Sequence, residues 1–467
     1  MSSIHGNRPV MLARVIDEAL STVRTKVCDH PASMLALVAV AGMGMPFPSS
    51  ANTYTVNTSG DPGPLGTVSL RQAITSANAA AGNVVQFSPA LIGSTITLVS
   101  GEIAITKPMT VSGPGADALT ISGNDVSRIF YIRAVPDDAV PSHMQVNISG
   151  VTLTKGHGSF AGGAIFAEHA QLGVSYSTIS ASKAGFFGGG LYSVLGNPTV
   201  QHCRLIANQA VYGGAFTSVG DAAVNLLFDT ISGNSAAEQG GGVFISGSPS
   251  ALIGRSTISG NMVLQPDVGS NTQGGGGVAF ANMVVNGTAN VYESTITQNY
   301  SPSGGGGIAL LDAQSGNAAR VYFSTIVGNS AAVDETGIGI TSAGGTVTIY
   351  NTIAANNFSQ SGADDLAGSF KSRQSLIKSP GSAIITGTGS VIGVDPQLGP
   401  LADNGGSTLT MLPSATSPAV HGVTCSACVS FVVLDQRGAI RHNPSDIGAV
   451  ERQYPEDLVF RDGFGGP

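Results

Sequence analysis

From residue 151 to residue 356 one arrangement of apolar and polar positions keeps returning. A single aliphatic residue stands between small or hydroxylated neighbours and is followed by Asn, as in FDTISGN (228–234), RSTISGN (255–261), ESTITQN (293–299), FSTIVGN (323–329) and YNTIAAN (350–356). Weaker copies are VTLTKG (151–156), YSTISAS (176–182) and HCRLIAN (202–208). Their central aliphatic residues are Leu153, Ile179, Leu205, Ile231, Ile258, Ile296, Ile326 and Ile353, spaced by 26, 26, 26, 27, 38, 30 and 27. Between the copies, clusters of glycine lead into short apolar runs: GGAIF (162–166), GGGLY (188–192), GGAF (213–216), GGGVFI (240–245), GGGGVAF (274–280) and GGGGIAL (304–310). Two motifs alternating at a fixed period in the twenties are the mark of a solenoid.

Residue type decides which solenoid. The apolar runs are short, rich in Val, Ile, Thr, Tyr and Phe, and bounded by Gly, Asn and Ser, which predicts strands. Apolar residues at i, i+3, i+4 and i+7 are nearly absent between residues 100 and 400, which excludes helical repeats. Leucine-rich repeats would place Leu at several fixed positions, and this chain does not. The pattern predicts an all-β, right-handed parallel β-helix whose inward Ile, Val and Leu stack from coil to coil. Asn208, Asn234, Asn261, Asn299, Asn329 and Asn356 each follow the core aliphatic residue by three. Asn tolerates a left-handed turn, and its side-chain amide bonds between stacked strands, so these six are read as a structural turn ladder. The 38-residue interval predicts a loop projecting from the wall near residues 262–273.

An exposed coil end needs a cap. Ser69 with Gln72 three residues on forms a capping-box pattern. Leu70, Ala73, Ile74 and Ala77 make one apolar stripe, and Gly82 is a C-terminal stop. A capping helix over 69–82 is expected, with the first strands near 84–87, 95–98 and 109–112.

Composition changes the picture at two points. Of 467 residues 64 are glycine and only 10% are charged, with no tryptophan. The formal net charge of −8 and the lack of a basic run argue against nucleic-acid binding. At the N-terminus, the uncharged run MLALVAVAGMGM (34–45) follows Arg24 and Lys26 and precedes Ser49-Ser50-Ala51. It is too short to span a bilayer and reads as an export signal with an extended leader, cleaved after Ala51. No other stretch reaches spanning length. Four cysteines add little: Cys28 leaves with the leader, Cys203 stands alone, and Cys425 with Cys428 reads as a local disulfide, since a lone Cys-x-x-Cys is weak evidence for a metal. The organisation expected is a leader (1–51), a capped β-helix (52–360), a β-rich C-terminal segment (361–451) and a tail (452–467).

The two ends of the exported chain carry a resemblance. SLRQAITSANAAAG followed by VVQF resembles the N-terminal segment of bacterial exported β-helix proteins named for a Cys-Ser-Leu-Arg-Glu-Ala motif, with Val68 in place of Cys and Gln72 in place of Glu. DDLAGSF (364–370), GVDPQLGPLADNGGSTLTMLPSATSPAV (393–420), DQRG (435–438) and DIGAVE (446–451) resemble the choice-of-anchor Q segment. LVFRDGFGGP (458–467) looks like a short tail found on exported proteins of gammaproteobacteria. The resemblance implies export from a Gram-negative bacterium and residence at the cell surface or outside the cell, with no shared reaction.

Parallel β-helices also host polysaccharide-cleaving enzymes, so a site must be sought from residues and not from fold. Polygalacturonases resemble one another in four motifs. Here Gly156-His157-Gly158 and Asp364-Asp365 occur in reverse order some 200 residues apart, and the other two are missing. A glycosidase needs two carboxyl groups about 5–9.5 Å apart. The coil region offers few: Asp221, Asp229, Glu238, Asp267, Glu293, Asp312, Asp334 and Glu335. Asp229 and Glu293 lie two and three residues before their core aliphatic, two coils apart and so about 10 Å distant. Arg204 and Arg255 flank the same wall. Those three, Asp229, Arg204 and Arg255, are the catalytic candidates under a lyase reading, the only one that would call for calcium. No other cofactor and no metal site is expected. The preferred reading is a monomeric, non-enzymatic surface or extracellular rod, adhesin-like or carbohydrate-binding, whose partner is a polysaccharide or another cell-surface component. The alternative is a polysaccharide lyase or glycoside hydrolase on the outward face of one wall.

Overall fold

The computed structural model describes residues 51–133, 144–265, 274–283, 287–311, 318–332, 338–359, 362–423 and 434–453. The leader, most of the 262–273 loop, Cys425 with Cys428, and most of the tail lie outside the described residues. Each middle coil passes through four short strands. In one coil these are Ile165–Glu168, Gln171–Ser175, Thr178–Ser180 and Lys183–Ala184. We call the stacks they begin walls 1 to 4. The next coil repeats them as Leu191–Val194, Thr199–Gln201, Arg204–Ile206 and Gln209–Tyr212. Every strand pairs in parallel with its counterpart. The molecule is a right-handed parallel β-helix of about 11 turns, as the repeat predicted.

Alternation along each strand sends every second side chain inward. In wall 3, Leu153, Ile179, Leu205, Ile231, Ile258, Ile296 and Ile326 stack in register, all fully buried. The last coil departs from the sequence reading. Ile326 pairs with Ala354, not Ile353, and Ala354 continues the inward stack. Ile353 takes the outward position held by Thr325 in the coil before, where its methyl meets Gly448 of the C-terminal segment. That segment buries the outer face here, so an apolar side chain is satisfied on either side. The ladder shifts with it: Asn357, three residues after Ala354, is the sixth Asn, and Asn356 is not a member.

The ladder itself is built as expected otherwise. Each Asn Oδ1 accepts both the backbone N–H and the side-chain amide of the Asn one coil earlier, from Asn208 to Asn234, Asn261, Asn299, Asn329 and Asn357. Each Nδ2 also donates to the carbonyl of the inward aliphatic residue a coil before its own, such as Asn234 to Leu205 O at 2.9 Å. Ser182 opens the column by donating its N–H to Asn208. Asp365 closes it, with Oδ1 accepting from Asn357 N and Nδ2.

The N-terminal cap is the helix Leu70–Ala77, α1, with both capping-box hydrogen bonds between Ser69 and Gln72. Leu70, Ala73, Ile74 and Ala77 are buried over the first coil. The helix ends well before Gly82. Asn78 stops it, because its side chain donates to Ala104 O and accepts from Thr106 N on the coil below. Arg71 ties the cap down: it forms a two-pronged pair with the buried Asp61 carboxylate and donates to Gly101 O and Glu102 O.

Walls 1 and 2 merge into one 21-stranded sheet because the long strand Ile340–Tyr350 runs through both. Past Ile392 the chain turns back along the outside of wall 3. A hairpin, Leu398–Ala402 with Thr410–Pro413, and the stretch 434–453 lie against Thr257, Thr295, Thr325 and Ile353. Wall 3 is therefore covered over its later coils and open over its earlier ones.

Candidate functional site on wall 3

Two turn positions before each wall 3 strand determine what this wall presents. The residue two before the core aliphatic faces into the turn. Ser177, Cys203, Asp229, Ser256, Ser294, Ser324, Thr352 and Ser375 occupy it, all nearly or wholly buried. Most receive a backbone N–H from the coil before, and their hydroxyls donate to the carbonyl two residues back, as Ser256 does to Gly254 at 2.9 Å. The residue three before projects outward from a left-handed backbone: Tyr176, His202, Phe228, Arg255, Glu293, Phe323, Asn351 and Gln374, with φ between 45° and 59°. Bulky residues rarely adopt this conformation. Here the hydrogen-bonded coils on both sides impose it.

These two positions separate the sequence candidates. Asp229 belongs to the inner column and is fully buried, accepting the Cys203 N–H at 2.8 Å. Its other oxygen has no hydrogen-bond partner. Burial pushes its carboxyl well above the usual carboxylate range. It is not the outward surface acid the spacing suggested, because two residues and three residues before the core are opposite sides of one turn. Glu293 belongs to the outer column and pairs with Arg255. It is buried nonetheless, because the C-terminal segment lies over it, and Arg441 approaches it at 4.0 Å. Burial raises its carboxyl, while Arg255 and Arg441 act in the opposite sense. Arg204 stands on the strand face, crosses Thr178 and reaches Asp117 at 2.6 Å. The three candidates therefore do not converge on a groove, and both arginines already hold carboxylate partners. Other coil-region acids are also engaged. Asp221 is fully buried, accepts from Gly196 N and Ser218 Oγ, and is pushed up to about 6 by burial. Glu238 accepts the Tyr212 hydroxyl. Among the described residues no group of three His, Cys, Asp or Glu is placed to hold a metal ion. Cys203 is a free, buried thiol.

The open part of wall 3 instead displays rings. Tyr176 and His202 stack at 4.9 Å and 3°, and His202 and Phe228 at 4.6 Å and 6°. The Arg255 guanidinium lies over the far face of the column, 5.6 Å from the Phe228 centroid. Burial lowers the His202 imidazole below its ordinary range, so the ring is neutral at neutral pH. The repeat reading missed these rings because it followed positions that stay alike between coils. The position three before each core residue carries the signal: it runs Tyr, His, Phe, Arg, Glu, Phe in successive coils. A second aromatic group, Phe187, Tyr192, Tyr212 and Phe244 at the wall 1 corner, is buried and packs the corner.

Where the C-terminal segment covers wall 3, its polar residues complete those of the wall. The Gln436 side chain donates to Thr257 Oγ1 and Thr408 Oγ1 and accepts from Thr295 Oγ1. The Ala449 N–H donates to Thr325 Oγ1 and the Gly448 N–H to Asn351 O. Arg441, fully buried, lies over Phe323 at 4.3 Å and pairs with Glu451 at 3.5 Å. Burial raises Asp446, and burial with the neighbouring Asp446 charge lifts Glu451 to about 7.

The fold and this geometry define a β-solenoid with a clasped wall and an open aromatic face. No family model matches the chain, and no curated protein matches it. Among solved structures it is similar to pectate lyase Pel9A, at 15% identity and a TM-score of 0.41, over 87% of this chain and 97% of that one.

Proposed function

We propose that this chain is an exported, non-enzymatic β-helix rod that binds carbohydrate at the surface of the cell or beyond it. One observation carries the reading. On wall 3 the candidate ionisable groups are buried or paired, while the open coils present stacked rings beside hydroxyl side chains. Asp229 is interior, Glu293 lies under the C-terminal segment, and Arg204 and Arg255 each hold a carboxylate. An acid and a base facing one substrate bond, as glycoside cleavage needs, are not assembled from these candidates. Rings flanked by hydroxyls suit sugars, which have apolar C–H faces and polar rims. Export rests on the leader pattern at 34–51 and on the resemblance of both chain ends to exported β-helix proteins. No helix among the described residues is long and apolar enough to cross a membrane.

The purified protein is to be incubated with a panel of acidic and neutral polysaccharides, with and without calcium. Co-sedimentation reports binding, while reducing ends and the ultraviolet absorbance of unsaturated uronates report cleavage. Binding without cleavage is expected. Turnover lost in Arg255→Ala, at unchanged melting temperature, would replace this reading with a lyase or hydrolase.

A further inference from the structure

We propose that the ledge formed by Tyr176 is a binding site for one neutral pyranose ring, which stacks there as the missing next member of the aromatic column. The proposal rests on the carbohydrate-binding reading and names its subsite. Within the column each ring is covered by the residue one coil earlier: Tyr176 covers His202, and His202 covers Phe228. The series stops at Tyr176. Ser175 pairs with Ser149, and the Gly150 N–H donates to Ser175 O, so Gly150 holds the equivalent position above Tyr176. One coil earlier Ser112 pairs with Ser149, which places Gly113 there. Neither has a side chain. None fits at Gly150, where φ is 65° and a Cβ would come within 2.7 Å of the Gly113 carbonyl oxygen. The coil before therefore puts no side chain at this position on Tyr176, which is 61% exposed.

The ledge is shaped for a ring. Adjacent coils are separated by about 4.8 Å, and the rings already in the column stack at 4.6 and 4.9 Å. A ring stacked on the exposed face of Tyr176 would extend the column at that spacing. The face of an aromatic ring is its negative side, which attracts the weakly positive axial C–H bonds of a sugar. At this exposure the bound ring keeps its rim in water, which suits hydroxyls and not a wholly apolar ligand.

Charge narrows the class. Thr178, two residues from Tyr176, accepts from Arg204 Nε, and Arg204 continues to Asp117. That cation is already accompanied by the exposed Asp117 carboxylate, whose charge opposes a uronate there. Thr178 is buried and Thr152 Oγ1 donates to Ala116 O, so the ring face and the balanced Arg204–Asp117 charge leave a neutral sugar as the ligand.

Saturation-transfer NMR tests this with xylohexaose, cellohexaose and hexagalacturonate as probes, irradiating ring protons of the full protein. Transfer to a neutral hexamer is expected, with at least fivefold less to hexagalacturonate. Tyr176→Asn should cut the transfer at least fivefold. Asn accepts the left-handed backbone and already stands in this column at Asn351, so the coil survives, and an unchanged melting temperature verifies it. Tyr176→Phe, which keeps the ring, should retain transfer. Equal transfer to Tyr176→Asn and wild type would overturn the site while leaving carbohydrate binding intact. Equal transfer to hexagalacturonate would overturn the neutral assignment. No transfer to any hexamer also overturns the site, and the broader reading falls with it only if the polysaccharide panel stays unbound.

Discussion

Asp229 occupies a position where neighbouring coils place a hydroxyl or a thiol. Ser256, Ser294 and Ser324 each donate to the carbonyl two residues back. A carboxylate has no proton for that bond, and one Asp229 oxygen is left without a partner. The folded protein holds this carboxyl's proton to a pH well above the unfolded value of about 3.9. Folding then takes up a proton, and stability falls as pH rises from that value through the raised folded one. Asp229→Ser restores the hydroxyl and removes the orphaned oxygen. It is expected to raise stability by about 1–3 kcal/mol at pH 8, with the gain shrinking toward pH 4. Urea melts of both proteins at the two pH values check this. A loss of stability at pH 8 would mean that Asp229 is charged and paired in the fold.

At the scale of strand and turn, the ladder makes a sharp distinction between two adjacent asparagines. Asn357→Ala removes an acceptor for two donors of Asn329 and a donor to Ile326 O, all buried. A cost of about 2–4 kcal/mol is expected, since each stranded polar group costs about 1–3. Asn356 has φ 57° and bonds Lys378 on the outside. Asn356→Gly should change stability by less than about 1 kcal/mol, and thermal melts of the pair decide the register. The strands, the period and the capping box were legible because they repeat or follow local rules: the aliphatic stack holds from Leu153 to Ile326. Register in the last coil was not legible. Ile353 and Ala354 are both apolar, and only the returning C-terminal segment, which buries the outer side of Ile353, decides between them. The same long-range contact hid Glu293. The candidate site was legible only as a wall: Arg204 and Arg255 lie on it, but Asp229 and the ring column turn on which side of one bend a residue falls.

For the whole molecule, the two ends are held by opposite electrostatics. At the start, burial alone would raise Asp61, but the Arg71 hydrogen bonds and the N–H groups of Val99 and Ser100 hold it below the usual carboxylate range. That stability is present above about pH 3.9 and is lost as pH falls through the folded value. Asp61→Asn should lower stability by about 2–4 kcal/mol at pH 7, with the deficit vanishing in acid. Where the C-terminal segment covers wall 3, Glu293, Asp446 and Glu451 are raised by burial, so stability there falls as pH rises from about 4 toward 7. Arg441→Met takes a buried guanidinium from Glu451 and leaves Glu293 with Arg255 alone, and is expected to cost about 3–5 kcal/mol. Hydrogen exchange should then quicken at Gly448 and Ala449, whose N–H groups donate to Asn351 O and Thr325 Oγ1, before the rest of the rod opens. Local exchange no faster than in wild type would show that the segment is held without the ion pairs. The amide column has a direction as well. Every member donates toward the next coil, and the series closes on Asp365, whose carboxylate accepts and passes nothing on. A duplicated coil spliced between Asn234 and Asn261 keeps each donor matched to an acceptor, whereas one appended after Asp365 meets no donor. Such a rod grows by copying its middle, and one carboxylate marks where its length stops.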